Sequence, residues 1–66
     1  MEIELIIFTE NNQVIEIGSE NNVEDIMANL LIRFDKEIDE FENHVEIAEF
    51  LKDKGINFKI VDLKLN

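Results

Sequence analysis

The stretch DKEIDEFENHVE, residues 35–46, decides how many helices the chain contains. Oxygen-bearing side chains occupy positions 1, 3, 5, 9 and 12 of this stretch, the ligand spacing of a helix–loop–helix calcium site. The same residues also continue an apolar pattern of helical spacing through Phe34, Ile38 and Phe41. A loop here would separate two helices, whereas a helix here would present its acids along one face.

The calcium-loop template fails at two positions. Position 6 needs a glycine for its sharp turn and holds Glu40, and position 8, which is normally apolar, holds Glu42. We therefore predict an acidic helix face and no metal site, and we keep a degenerate calcium-binding helix–loop–helix as the minor alternative. The weak candidate ligands of that alternative are Asp35, Glu37, Asp39, Asn43 and Glu46.

Helical signals extend to both sides of this stretch. Asn22 suits an N-cap, and apolar residues then follow helical spacing over 23–41. Residues 43–46, Asn-His-Val-Glu, resemble a capping box that starts a second helix, which Gly55 ends. The pattern is compatible with two helices or with one bent helix.

Alternating apolar and polar residues predict three strands, at 1–9, 13–18 and 56–65. In the first strand, this alternation directs Ile3, Leu5 and Ile7 toward the core. A three-residue loop at 10–12 is predicted between the first two strands, because it pairs Ile7 with Ile15 and keeps the apolar faces together.

In the third strand the apolar residues switch sides at Ile60 and Val61, which suggests a bulge there or a change of face where the strand leaves the core. The predicted fold is a two-layer α+β domain over 1–66 with the order β-β-α-α-β. A β-hairpin contributes to a three-stranded sheet, and both helices pack on one face. A helical hairpin would make the third strand parallel to the first, whereas one bent helix would make it antiparallel; we expect the first.

Composition narrows the function classes. Sixteen acids against six bases give a net charge of −10, which argues against direct binding to nucleic acid or to an anionic membrane. The chain has no cysteine, which indicates a reducing compartment, and its apolar runs are too short to span a bilayer. We expect a cytoplasmic protein.

Few side chains could support catalysis. The hydroxyls are Thr9 and Ser19, and His44 is the single imidazole. Two glycines cannot build a phosphate-binding loop, and so small a domain has little room for a desolvated acid–base pair. We predict no enzymatic activity, no cofactor and no small-molecule substrate.

Two surfaces are predicted to bind proteins. The first is an acidic face on the helices, and the second is an apolar patch on the sheet face opposite the helices, which would exceed the apolar exposure normal for a monomer. The acidic face comprises Asp35, Asp39, Glu42, Glu46 and Glu49. The apolar patch comprises Ile6, Phe8, Val14, Val61 and Leu63.

These surfaces predict a non-enzymatic protein-binding module that docks on a basic surface of a partner protein. Its sharpest form is a nucleic-acid mimic, in which carboxylates at helical spacing imitate phosphates. In general character the chain resembles small acidic inhibitors of phages and mobile elements. The alternative is a homodimeric structural or accessory protein, joined through the apolar patch, whose acids serve only solubility.

Overall fold

The computed structural model describes residues 2–64, and these form a three-stranded antiparallel sheet with two α-helices on one face. In chain order the elements are β1 (Glu2–Glu10), β2 (Gln13–Ser19), α1 (Val23–Ile32), a 3₁₀ turn (Ile38–Glu40), α2 (His44–Asp53) and β3 (Ile56–Lys64). The predicted α+β class, the hairpin and the two separate helices are confirmed. Leu65, at the end of the predicted third strand, lies outside the described residues.

The β1–β2 hairpin turns on two residues, so the predicted three-residue loop is wrong. Asn11 and Asn12 have φ of 55° and 65°, the left-handed conformation that a tight hairpin turn requires and that asparagine tolerates. The pairing then shifts between Phe8 and Thr9, where Ile15 is an extra residue on β2. This bulge restores the match of apolar faces that a two-residue loop would otherwise lose.

The sheet order is β2-β1-β3, with β1 antiparallel to both neighbours. The expectation that β3 runs parallel to β1 is therefore wrong. A closed helical hairpin would return the chain to the end of β2, beside Leu5, whereas β3 begins at the opposite end of the sheet, beside Glu10. The long connection over 33–43 separates the helices enough for them to carry the chain across the sheet.

Helix α1 ends well before the position that its apolar pattern predicts. The N–H of Lys36 donates to the carbonyl of Leu31, and the N–H of Asp35 donates to that of Ile32. These bonds form a Schellman motif, whose left-handed residue is Asp35 with φ of 57°. The predicted acidic helix through 35–46 is therefore wrong, because the stretch is a connection with one 3₁₀ turn.

The apolar residues of that connection nevertheless pack on the core. Phe34, Ile38 and Phe41 are partly buried against it. The Phe50 ring of α2 lies 5.9 Å from the ring of Phe34 and 5.5 Å from that of Phe41, measured between centroids. The apolar residues of this connection recur at intervals that match a helix. A connection that crosses a core must also place apolar side chains against that core at intervals, so the spacing alone does not distinguish it from a helix.

Helix α2 has the predicted start and stop. The Asn43 side chain accepts from the N–H of Glu46 at 3.0 Å, and the Glu46 carboxylate accepts from the N–H of Glu42 at 2.7 Å. At the other end, Gly55 has φ of 90°, a conformation that favours glycine.

The core lies between the helices and one face of the sheet. Phe8 of β1 and Ile56 of β3 are buried under α1 and α2. Leu5 and Ile7, predicted to face the core, lie on the other side, because β1 is apolar on both faces and alternation does not say which one the helices cover. The core residues are Phe8, Val23, Met27, Leu30, Leu31, Ile47, Leu51 and Ile56.

Strand β3 pairs with β1 in unbroken register from Ile56 to Lys64, so no bulge interrupts it at Ile60–Val61. Ile60 shares the helix side with Phe58 and remains 56% exposed, which shows that the helices leave this part of the sheet open. The change of side that the apolar residues show at Ile60 and Val61 in the sequence arises because β3 has apolar residues on both of its faces. Within residues 2–64, no helix is long and apolar enough to cross a membrane.

Candidate protein-interaction surfaces

An apolar surface covers the side of the sheet that carries no helix, and we name it the outer sheet face. Residues paired directly across neighbouring strands share a face. Ile7 pairs with Ile17 and Leu5 pairs with Val61, so these four side chains lie together. The apolar members of the outer sheet face, over the described side chains, are Leu5, Ile7, Val14, Ile17, Val61 and Leu63.

This face is open to solvent. Val14 is 57% exposed, Ile17 55% and Leu63 41%, whereas Leu5, Ile7 and Val61 are half-buried by their neighbours. The polar residues of the face are Thr9, Ser19, Asn57 and Lys59. Over the described strand side chains it contains no carboxylate, although the chain has sixteen acids.

The predicted apolar patch is partly correct in its residues. Val14, Val61 and Leu63 lie on the outer sheet face, but Phe8 is fully buried in the core and Ile6 packs against the core. Gly18, which pairs with Ile6, is the residue in the sequence that could have indicated which face of the strands the helices cover. A Cβ at Gly18 would collide with Ile26 of α1, so a helix must cover that side of the strand.

The five residues predicted as an acidic face are divided between two elements. Asp35, Asp39 and Glu42 lie in the connection over 33–43, and Glu46 and Glu49 lie on α2. All five are exposed. The connection holds five carboxylates against Arg33 and Lys36, and the ammonium of Lys36 lies 3.7 Å from the carboxylate of Glu40. The connection therefore presents a strongly negative surface without the helical spacing of charges.

The structure does not gather the candidate calcium ligands around one point. Within residues 2–64, no group of three or more His, Cys, Asp or Glu side chains is arranged to hold a metal ion. The side-chain oxygens of Asn43 and Glu46 accept hydrogen bonds from backbone N–H groups at the start of α2. Asp35 forms the left-handed residue after α1, and Glu37 begins the 3₁₀ turn that contains Asp39.

The three side chains considered for catalysis occupy separate elements. Thr9 lies on the outer sheet face beside the hairpin turn, while Ser19 ends β2 at the opposite end of the hairpin. The Ser19 hydroxyl lies 3.5 Å from the side-chain oxygen of Asn22. His44 is exposed in the first turn of α2.

A second apolar surface lies on the helix side, between α2 and β3, and we name it the α2–β3 groove. Its volume is about 490 Å³. Val45 and Phe58 in its wall are 65% and 40% exposed. The apolar residues that line it are Ile6, Val23, Met27, Val45, Ala48, Ile56, Phe58 and Ile60. Sequence reasoning did not find this groove, because it forms only where α2 stops short of covering β3.

Comparison with known proteins adds no assignment: no protein-family model, no curated protein and no solved structure matches the chain.

Proposed function

We propose that this protein is a non-enzymatic binding module that works as a homodimer joined through the outer sheet face. The observation that carries the proposal is an apolar, carboxylate-free sheet face on a chain of net charge −10. Contiguous exposed apolar surface of this kind marks a site that another protein covers.

A second copy suits this face better than a basic partner does. A basic protein would find no described carboxylate to pair with there and would meet Lys59 instead. Two acidic copies can approach only through a surface that keeps their carboxylates apart, and the outer sheet face does so. Stacked sheets in proteins commonly pack about 10 Å apart through such apolar faces.

The size of the face predicts a weak dimer. Three strands spaced about 4.8 Å apart, with up to nine residues at about 3.3 Å each, form a face of roughly 400 Å² in projection. Two such faces fall near or below the lower limit of about 1,200 Å² for specific interfaces. We therefore expect a dissociation constant in the micromolar range.

The test compares Ile17→Asp with Ile32→Asp, and sedimentation velocity over a concentration series measures association. Both isoleucines are exposed, at 55% and 67%. Ile17 lies on the outer sheet face, whereas Ile32 is the last residue of α1, on the side of the sheet that carries the helices. We expect at least a tenfold weaker dimer for Ile17→Asp, because a carboxylate would be buried without a partner. Ile32→Asp should associate like the wild type.

The homodimer is contradicted if the wild-type protein is a strict monomer at about 100 μM, since a specific interface should close well below that concentration. It is equally contradicted if the two variants associate alike, because the outer sheet face would then play no special part.

A second candidate function, docking on a basic surface of a partner protein, is favoured by the connection over 33–43. This acidic segment is held in place by Phe34, Ile38 and Phe41 on the core and by the Schellman motif at Asp35. A fixed acidic surface can match a basic partner without first being ordered, which lowers the entropic cost of binding. The carboxylates of the connection do not have the regular helical spacing that would imitate nucleic-acid phosphates. This second candidate is therefore docking through a general acidic surface, without imitation of a nucleic acid.

A further inference from the structure

Among residues 2–64, strand β3 has an edge that no other strand pairs with, and this edge lies beside the α2–β3 groove. It is an outer strand of the sheet, nine residues long, with unbroken register along β1. The other edge strand, β2, is shorter, contains the bulge at Ile15 and lies close to α1 at Gly18. Bulges and short length are among the usual protections of sheet edges, so β2 is less available for pairing with another strand than β3.

The groove lies where the side chains of an added strand would point. A strand paired to the free edge of β3 directs alternate side chains to the helix side, beside Phe58 and Ile60. The opposite wall is supplied by Val45 and Ala48 of α2. The edge would supply backbone hydrogen bonds and the groove would accept apolar side chains, the two components of strand addition.

Beyond the groove, the same side of the sheet becomes acidic. Asp62 follows Ile60 on the helix side and pairs directly with Glu4, and both residues are exposed. Like charges directly opposite each other destabilise a strand pair. A cationic side chain on an added strand next to Asp62 would relieve this repulsion.

We propose that the β3 edge and the α2–β3 groove bind an extended segment of a different protein, with apolar residues at alternate positions followed by Lys or Arg beside Asp62. A second copy of β3 fits the edge less well. When two β3 strands overlap antiparallel along their whole length, Phe58 rather than a cation lies opposite Asp62.

The probe is a synthetic nine-residue peptide with Val and Thr alternating and Arg at the last Val position. Titration into ¹⁵N-labelled protein should shift the amides of β3 and of the first turns of α2 saturably. A matched peptide with Glu in place of Arg should bind at least fivefold more weakly, and Asp62→Lys should reverse that preference. A peptide N-methylated at alternate amides should lose binding, because it cannot pair as a strand.

Two protein variants locate the site. Val45→Asp places a charge in the groove wall and should weaken binding at least tenfold, whereas Ile32→Asp, at an exposed position that ends α1 outside the groove, should leave it unchanged. The proposal is overturned if the amides show no saturable shift up to about 1 mM peptide, because a weaker interaction would not define a specific site. It is also overturned by equal binding of the N-methylated peptide, by shifts confined to the outer sheet face, or by pairing of β3 with a second copy that excludes the peptide.

Discussion

At the residue scale, the two glycines are needed for different reasons. Gly18 has an ordinary backbone conformation, but a Cβ there would meet the Ile26 side chain and lie 2.9 Å from the side-chain oxygen of Asn22. Gly55 has open space around it, but its φ of 90° is unfavourable for any residue with a side chain. The first glycine is required by packing and the second by the backbone.

Gly18→Ala should lower the free energy of unfolding by about 1–3 kcal/mol through overpacking. Gly55→Ala should lower it by about 1 kcal/mol through strain. Urea denaturation at one fixed protein concentration measures both. In a double-mutant cycle, Ile26→Ala should recover part of the Gly18→Ala loss and none of the Gly55→Ala loss. Equal coupling of Ile26→Ala to both glycine variants would contradict this distinction.

At the element scale, the turns and helix ends decide the path of the chain. Asn11 and Asn12 form the hairpin turn, and Asp35 ends α1, each with positive φ. These residues tolerate the left-handed conformation because their short polar side chains can hydrogen-bond locally. The helical apolar pattern was misleading here, since it does not take account of the residue that turns the chain.

Asn12→Gly should raise the free energy of unfolding by about 0.5 kcal/mol, because Asn-Gly is the preferred pair for a two-residue hairpin turn. The control is Asn21→Gly, an exposed asparagine outside the turn whose φ is not positive. Thermal unfolding followed by circular dichroism should give a higher midpoint for Asn12→Gly only. A lower midpoint for Asn12→Gly would show that the turn prefers the asparagine side chain.

At the scale of the whole molecule, the two candidate functions respond oppositely to salt. Copies of net charge −10 repel each other, so screening should strengthen the homodimer. Docking of the acidic connection on a basic protein should weaken for the same reason.

From about 0.1 to 1 M salt, the Debye length falls from about 10 to about 3 Å. Over this range, sedimentation velocity should show tighter self-association, and binding to a basic partner should decline. A homodimer that dissociates as salt rises would indicate contacts between opposite charges, contrary to an apolar, carboxylate-free interface. Lys59→Glu, which adds a carboxylate to the outer sheet face, should make the strengthening by salt steeper.

The sequence by itself determined the order of the elements and the start and end of α2, but not the end of α1 or the length of the hairpin turn. Period-two alternation located three strands, and Asn43, Glu46 and Gly55 marked the second helix, because caps and turns depend on residues a few positions apart. Val14, Val61 and Leu63 were assigned correctly to an open apolar face on the same alternation.

Only the tertiary structure decided which face the helices cover and which way β3 runs. Leu5 and Ile6 are adjacent apolar residues of β1 that lie on opposite faces of the sheet. The local sequence pattern does not indicate which of these faces packs against the helices. The side is chosen by packing between distant segments, namely Ile26 against Gly18 and the α2 residues against Ile56. The α2–β3 groove has the same origin, since it depends on where a helix stops over a strand that lies far from it in the chain.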